Sequence, residues 1–317
     1  MLSRTAENLF WIARSMERAE TTARLLEVGS RNALIPNASG GFRNEWESVL
    51  RASGTASAFE QKYGEPVQRN IESFLFFDRD NPSSVASCVF NARENGRIVR
   101  TALTSQVWDA LNMAHQEMMQ LRRTERSNLS MSNLTEWAIR QAAHLRGAIE
   151  DSQLRNDGYD FLYMGYALER ADATARLLDV KYYVLLPQVD YVGSGLDNYQ
   201  WRSILRSMSA HRAFNWAYGG EVSPSKIADF LLLNPKSPRA LITSFEDTLW
   251  HLERLARAYG RSTPAQTKIR AMVAELAQAS VEDIFDEGLH EFLSRMINEI
   301  AQLSIAISDV YFSGNIR

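Results

Sequence analysis

The chain has 317 residues, 45% hydrophobic and 23% charged, enough apolar material for one large core or two. Its net charge of −3 gives no draw toward nucleic acid or an anionic membrane, and no block of like charge stands out. The lone cysteine, Cys88, excludes an internal disulfide framework. Charges threaded through the first twenty residues argue against a signal peptide, and no apolar run approaches the ~18 residues of a membrane span, so a cytoplasmic location is expected.

Basic residues are skewed to 30 Arg against 5 Lys. A GC-rich gene would produce that skew. So would a protein rich in buried Arg–carboxylate pairs, because the planar guanidinium tolerates partial burial better than an ammonium.

Helical periodicity starts at once. Leu9, Ile12, Ala13, Met16, Ala19, Ala23 and Leu26 recur at steps of three and four, and Pro36 ends this first helix. The run Phe74 to Asp78 reads as a helix end or turn packed into the core. Asn81 before Pro82 reads as an N-cap with proline at the first helical position. Arg93, Arg97 and Arg100 then share one helix face. Residues 123–132 read as a loop.

From there the pattern repeats. Residues 17–28, ERAETTARLLEV, return as ERADATARLLDV at 169–180, with nine of twelve positions identical. Pro187 matches Pro36, the segment from Trp201 matches that from Trp46, and the segment from Phe230 matches that from Phe74. Leu289, Glu291, Phe292 and Arg295 match Leu134, Glu136, Trp137 and Arg140. The offset holds between 151 and 156. Residues 192–197 read as a loop, Ser237–Pro238 as a second N-cap, and 260–264 as a turn. The expected fold is all-α, with two tandem pseudo-symmetric helical-bundle repeats, 1–156 and 157–317, packed as one body.

Two constellations could carry chemistry. At 100° per residue, Glu20 falls on the edge of the apolar stripe, with Glu17 and Arg24 just beyond it, and Arg18 follows Glu17 in the repeated segment. Glu20 and Arg24 can pair along the helix, and Glu169, Arg170, Asp172 and Arg176 repeat the set. Such charges form either a structural ion-pair network or a polar pocket where two acidic helices meet. The second constellation is Arg93, Glu94, Asn95, Arg97 and Arg100, whose guanidiniums suit a phosphate or carboxylate. Its second-unit counterpart carries Trp250, His251, Glu253 and Arg254, so a site there would have survived only in the first unit. Neither constellation identifies a catalytic residue.

No metal or cofactor is expected: five scattered histidines supply one Glu-x-x-His pair, Glu287–His290, and no Gly-rich phosphate loop or nucleophile elbow appears. Cys88, on a helix face with Val85, Val89 and Ala92, reads as a buried inert thiol.

Three segments, LSRTAENLFWIARSMERAETTARLLEV, DRDNPSSVASCVFNARENGRIVR and SQVWDALN, together resemble the bacterial alpha-E domain family over nearly the whole chain. The resemblance implies a genomic setting with a circularly permuted ATP-grasp ligase and a transglutaminase-like protease, hence a part in ATP-dependent amide or peptide bond formation. It points to Glu17, Arg18, Glu20, Arg24, Arg93, Glu94, Asn95, Arg100 and Trp108. Asp109 stands where the family more often has Glu, which weakens a catalytic carboxylate there. The chain is accordingly expected to be a ligase partner or acceptor-binding module, the alternatives being a stand-alone enzyme or a scaffold. Glu17, Arg18, Arg93, Glu94 and Arg100 are expected to line one cleft walled by Trp108.

Overall fold

The computed structural model describes residues 1–33, 42–183 and 195–313. Every regular element among them is helical. The first half runs α1 (Ser3–Asn32), α2 (Phe42–Ala52), α3 (Ala56–Tyr63), α4 (Gln68–Phe76), α5 (Val85–Ile98), α6 (Ser105–Arg123) and α7 (Met131–Ser152). The second runs α8 (Asp157–Tyr183), α9 (Gly195–Ser207), α10 (His211–Tyr218), α11 (Pro224–Ala228), α12 (Leu241–Tyr259), α13 (Pro264–Gln278), α14 (Val281–Glu287) and α15 (Leu289–Tyr311). No helix among the described residues is long and apolar enough to cross a membrane.

The two long helices α1 and α8 form the centre and pack along each other. Helices α5 and α7 cover α1, while α12 and α15 cover α8. The small helices cross over: α2 packs more on α8 than on α1, and α9 more on α1 than on α8. Buried apolar side chains from both halves merge into one continuous cluster. A helix covered on so many sides cannot keep the single apolar stripe of a surface helix. This is why α1 buries Glu17, Glu20 and Arg24 as well as Leu9, Ile12 and Met16.

Small residues let the central helices meet. A Cβ built on Gly165 would run into the carbonyl oxygen of Phe10 and lie 3.1 Å from the Ala13 Cβ. Further along the helices, Thr22 Oγ1 donates to Ser83 O at 2.9 Å and Thr174 Oγ1 donates to Arg239 O at 2.8 Å. Two aromatic trios are alike as well. Phe59 stacks on Tyr63 at 5.3 Å with Phe74 edge-on, and Phe214 stacks on Tyr218 at 5.1 Å with Phe230 edge-on.

Phe74–Phe76 close α4, and a π-helical turn over Asp229–Leu233 follows α11, so both apolar runs are helix ends in the core. Two expected helix starts need correction. Asn81 Oδ1 accepts from Ser83 N at 3.0 Å and its Nδ2 donates to Phe74 O at 3.2 Å. Its side chain thus builds a turn, and α5 begins at Val85 with Ser84 as the cap. Likewise α12 begins at Leu241 behind Ala240, with no side-chain cap.

The expected loop over 123–132 holds a 3₁₀ turn at Arg126–Asn128 and the start of α7 at Met131. Gly195–Asp197, read as loop, already belong to α9. Pro36, Pro187 and residues 192–194 lie outside the described residues. The 260–264 turn is present: α13 starts at Pro264, where Thr263 and Gln266 form a capping box.

Candidate functional site

The α1–α8 contact brings two Glu-Arg dipeptides together reciprocally. Arg170 donates from Nε to Glu17 Oε1 at 2.9 Å and from Nη2 to Oε2 at 3.2 Å. Arg18 donates from Nε and Nη2 to the two oxygens of Glu169 at 2.5 and 2.8 Å. Each pair is a two-pronged guanidinium–carboxylate contact, the strongest form of such a bond.

Further arginines converge on the same carboxylates. Arg14 Nε donates to Glu169 Oε2 at 2.8 Å. Arg146 reaches across from α7 to Glu17 at 2.5 Å and to Glu20 at 3.2 Å. Arg24 holds Glu20 through Nε at 2.9 Å and Nη2 at 2.7 Å. Arg239, just ahead of α12, bonds Glu20 and lies 3.6 Å from Glu17. The carboxylates of Glu17, Glu20 and Glu169 are 0, 1 and 3% exposed. Six guanidiniums thus surround three buried carboxylates.

The electrostatics follow from that imbalance. Burial pushes the Glu20 carboxyl up, but Arg239, Arg24 and Arg146 together outweigh it and hold it well below the usual carboxylate range. Burial likewise pushes Glu169 up, and Arg18 and Arg14 outweigh it. Arg239 bears the cost of the excess cation. Burial, against the pull of Glu20, draws its guanidinium down to about 10, and Arg24 and Arg170 add to the fall. Carboxylates held ionised by several donors are poor proton donors or acceptors at neutral pH. This counts against acid–base chemistry by Glu20 and Glu169.

Depressed carboxyl values make stability fall in acid. The folded state binds fewer protons than the unfolded chain below the ordinary Glu value of 4.5. The stabilisation is therefore complete above about pH 4.5 and lost as the pH drops toward about 2, the folded value of Glu169. A melting-temperature series from pH 7 to 3 should bend downward below about pH 4.5, and Glu169→Gln should flatten that bend.

The other sequence-derived residues fall into two places. Asp172 pairs with Arg176 at 2.6 Å, and Arg176 Nη1 donates to Ala52 O at 3.2 Å, while Arg24 Nη1 donates to Ser207 O. Asp172 keeps 17% of its side chain exposed, against 1% for Glu20. The expected single cleft does not form. Arg93 bonds Glu94 and donates to Asn112 Oδ1 on α6 at 3.4 Å. The Arg93 and Arg100 guanidiniums lie 5.6 and 5.3 Å from the Trp108 ring centre. This group sits between α5 and α6 on a partly exposed face, with Asn95 half-buried on the same helix. Glu17 and Arg18 are turned inward to α8, and no hydrogen bond or ion pair among the described residues joins the two groups. Cys88 is 2% exposed, and burial pushes its thiol up to about 12.

Sequence reasoning missed Arg14, Arg146 and Arg239. Arg14 stands four residues before Arg18 and shares its face, a legible signal. Arg146 and Arg239 come from helices remote in sequence and leave none. It also missed a polar strip running on from the arginines, where α8 is flanked by α7 and α12. His251 Nδ1 meets Asp160 Oδ1 at 2.7 Å, and Arg254 Nε donates to the same oxygen at 2.7 Å. Tyr159 donates to Glu150 Oε2 at 2.6 Å, and Tyr163 donates to the same oxygen. Tyr159 and Tyr163 stack at 4.4 Å, and the Arg146 guanidinium lies 5.7 Å from the Tyr166 ring centre.

No curated protein and no solved structure matches the chain. Residues 1–312 match the Alpha-E family, described as a predicted alpha-helical domain with a conserved ER motif. The sequence holds four Glu-Arg dipeptides, at 17–18, 125–126, 169–170 and 253–254. Among the described residues only 17–18 and 169–170 bond each other, so the knot between α1 and α8 is where such a motif has structural meaning. With nearly its whole length matched, this chain belongs to the Alpha-E family.

Proposed function

We propose that this protein is a cytoplasmic component of an ATP-grasp-dependent system for amide or peptide bond formation, acting as the acceptor-binding partner of a circularly permuted ATP-grasp ligase. A transglutaminase-like protein would be a further member of the system. The ligase context comes from the family resemblance. The observation that supports the binding role is the excess of guanidinium over carboxylate at the α1–α8 contact. A buried cation excess is costly and is relieved by an incoming anion, and guanidiniums are the usual receivers of carboxylate and phosphate.

We also read the chain as two tandem units, 1–156 and 157–317. The α1–α8 knot would be their shared seam, and the crossing of α2 and α9 would hold the units in one body.

The test is reconstitution with a circularly permuted ATP-grasp ligase. The ligase should co-purify, and product should form faster with both proteins than with the ligase alone. Arg146→Gln should cut product formation tenfold or more with helix content intact by circular dichroism, whereas Arg93→Ala should stay within about twofold of wild type. Loss on Arg93→Ala with Arg146→Gln active would move the site to the α5–α6 face. Turnover by the isolated protein would replace the partner reading with that of a stand-alone enzyme. Failure to associate or to stimulate would leave a scaffold.

A further inference from the structure

The strip along α8 carries opposite charge at its two ends. At one end Arg146, Arg170 and Arg239 crowd around Glu17 and Glu20, and Tyr166 packs against Arg146. Tyr166 is 3% exposed, and its hydroxyl has no hydrogen-bond partner among the described residues. Tyr166 also stands one helical turn before Arg170 on α8, which places it at the edge of the knot. An unsatisfied buried hydroxyl is expensive, and a carboxylate or phosphate oxygen seated between Tyr166 and the two guanidiniums would satisfy it.

One to two turns away the character reverses. Asp247 on α12 is exposed and stands one helical turn before His251 on the same helix. Beside it lie the Asp160–His251 pair, Glu150 and the stacked Tyr159 and Tyr163 rings, 5.3 Å separating the Tyr163 and His251 ring centres. Carboxylates, an imidazole and tyrosine faces together receive an ammonium group.

We propose that this strip binds a short amino-carboxylate in extended form, its carboxylate at Arg146, Arg170 and Tyr166 and its amine at Asp247 and His251. Tyr163 and Arg170 are seven residues apart on α8, about 10 Å at 1.5 Å per residue. With the reach of the side chains, the two charges of the ligand should stand roughly 5–10 Å apart, as in a dipeptide or an ω-amino acid and unlike a free α-amino acid. The proposal rests on the acceptor-binding reading and names its ligand class.

Calorimetry on the isolated protein tests it without the ligase. The probes are glycine, 4-aminobutanoate, 6-aminohexanoate and glycylglycine, with butyrate, butylamine and inorganic phosphate as controls. The extended amino-carboxylates should bind at least about tenfold tighter than glycine, butyrate or butylamine. Tyr166→Phe should weaken every carboxylate, and Asp247→Asn only the compounds bearing an amine. Equal binding of butyrate and 4-aminobutanoate, or of phosphate alone, overturns this ligand class and leaves the anion role of the knot standing. No binding by any probe overturns the strip as a site, while association with the ligase is judged separately by co-purification.

Discussion

Replacing Glu169 by alanine is expected to cost the fold about 3–5 kcal/mol. Its carboxylate is the acidic partner of both Arg14 and Arg18, which it holds through three hydrogen bonds at 2.5 to 2.8 Å. Arg14 keeps a 3.1 Å bond to Ser304 Oγ, but among the described residues Arg18 hydrogen-bonds no second carboxylate. Removal therefore leaves two largely buried guanidiniums without their hydrogen-bonded carboxylate, the circumstance in which a buried pair matters most. In a chain of this length the loss corresponds to a melting point lower by roughly 5–15 °C. Urea unfolding followed by circular dichroism measures it directly. Adding Arg18→Met to Glu169→Ala should restore part of the loss, because the second change removes an orphaned charge, and the cycle should show a coupling of about 2 kcal/mol. Unchanged unfolding midpoints in the single variant would mean that the knot contributes nothing to stability. The same cycle bears on function, since a structural knot that is also an anion receiver must keep more guanidiniums than stability requires.

Much of this site was legible in the sequence, and the reason for the remainder is physical. The spacing of Glu20 and Arg24 predicts their pairing, and they pair at 2.7 Å. The helical wheel put Glu20 at the edge of an apolar stripe. Its complete burial arises because α5, α7 and α8 enclose α1 from several directions, which a wheel drawn for one partner surface cannot register. The Glu17–Arg170 and Arg18–Glu169 bonds join residues 153 and 151 apart in sequence, so only the shared segment hinted at them. Arg146 and Arg239 carry no local signal at all. The arginines at 93, 97 and 100 show the opposite failure. Their helical spacing is real, but the exposed Arg97 is spent on Glu94, and Arg93 and Arg100 fold onto Trp108 instead of joining Glu17 and Arg18. A shared face makes side chains neighbours without saying which element lies opposite.

The register of the knot depends on how closely α1 and α8 approach, and Gly165→Ala should reveal this through the sign of its effect. In an ordinary helix interior, glycine to alanine gains up to about 1 kcal/mol. A methyl group added at Gly147 in α7 would have nothing within 4 Å, so Gly147→Ala should show that gain. At Gly165 the added methyl would meet the Phe10 carbonyl oxygen, with the Phe10 carbonyl carbon at 3.3 Å and the Ala13 Cβ at 3.1 Å. A backbone carbonyl cannot swing aside as a side-chain tip can, so the helices must separate or the backbone must bend. Overpacking of this kind typically costs about 1–3 kcal/mol. Separation would also stretch the two-pronged bonds one turn further on, where Arg18 and Glu169 meet at 2.5 and 2.8 Å. Their strength depends on that geometry. The expected result is a lower urea midpoint for Gly165→Ala beside a higher one for Gly147→Ala, measured in parallel. A Gly165→Ala variant as stable as wild type would show that α1 and α8 are not held at contact distance, and the reciprocal Glu–Arg pairs would then lose their geometric basis.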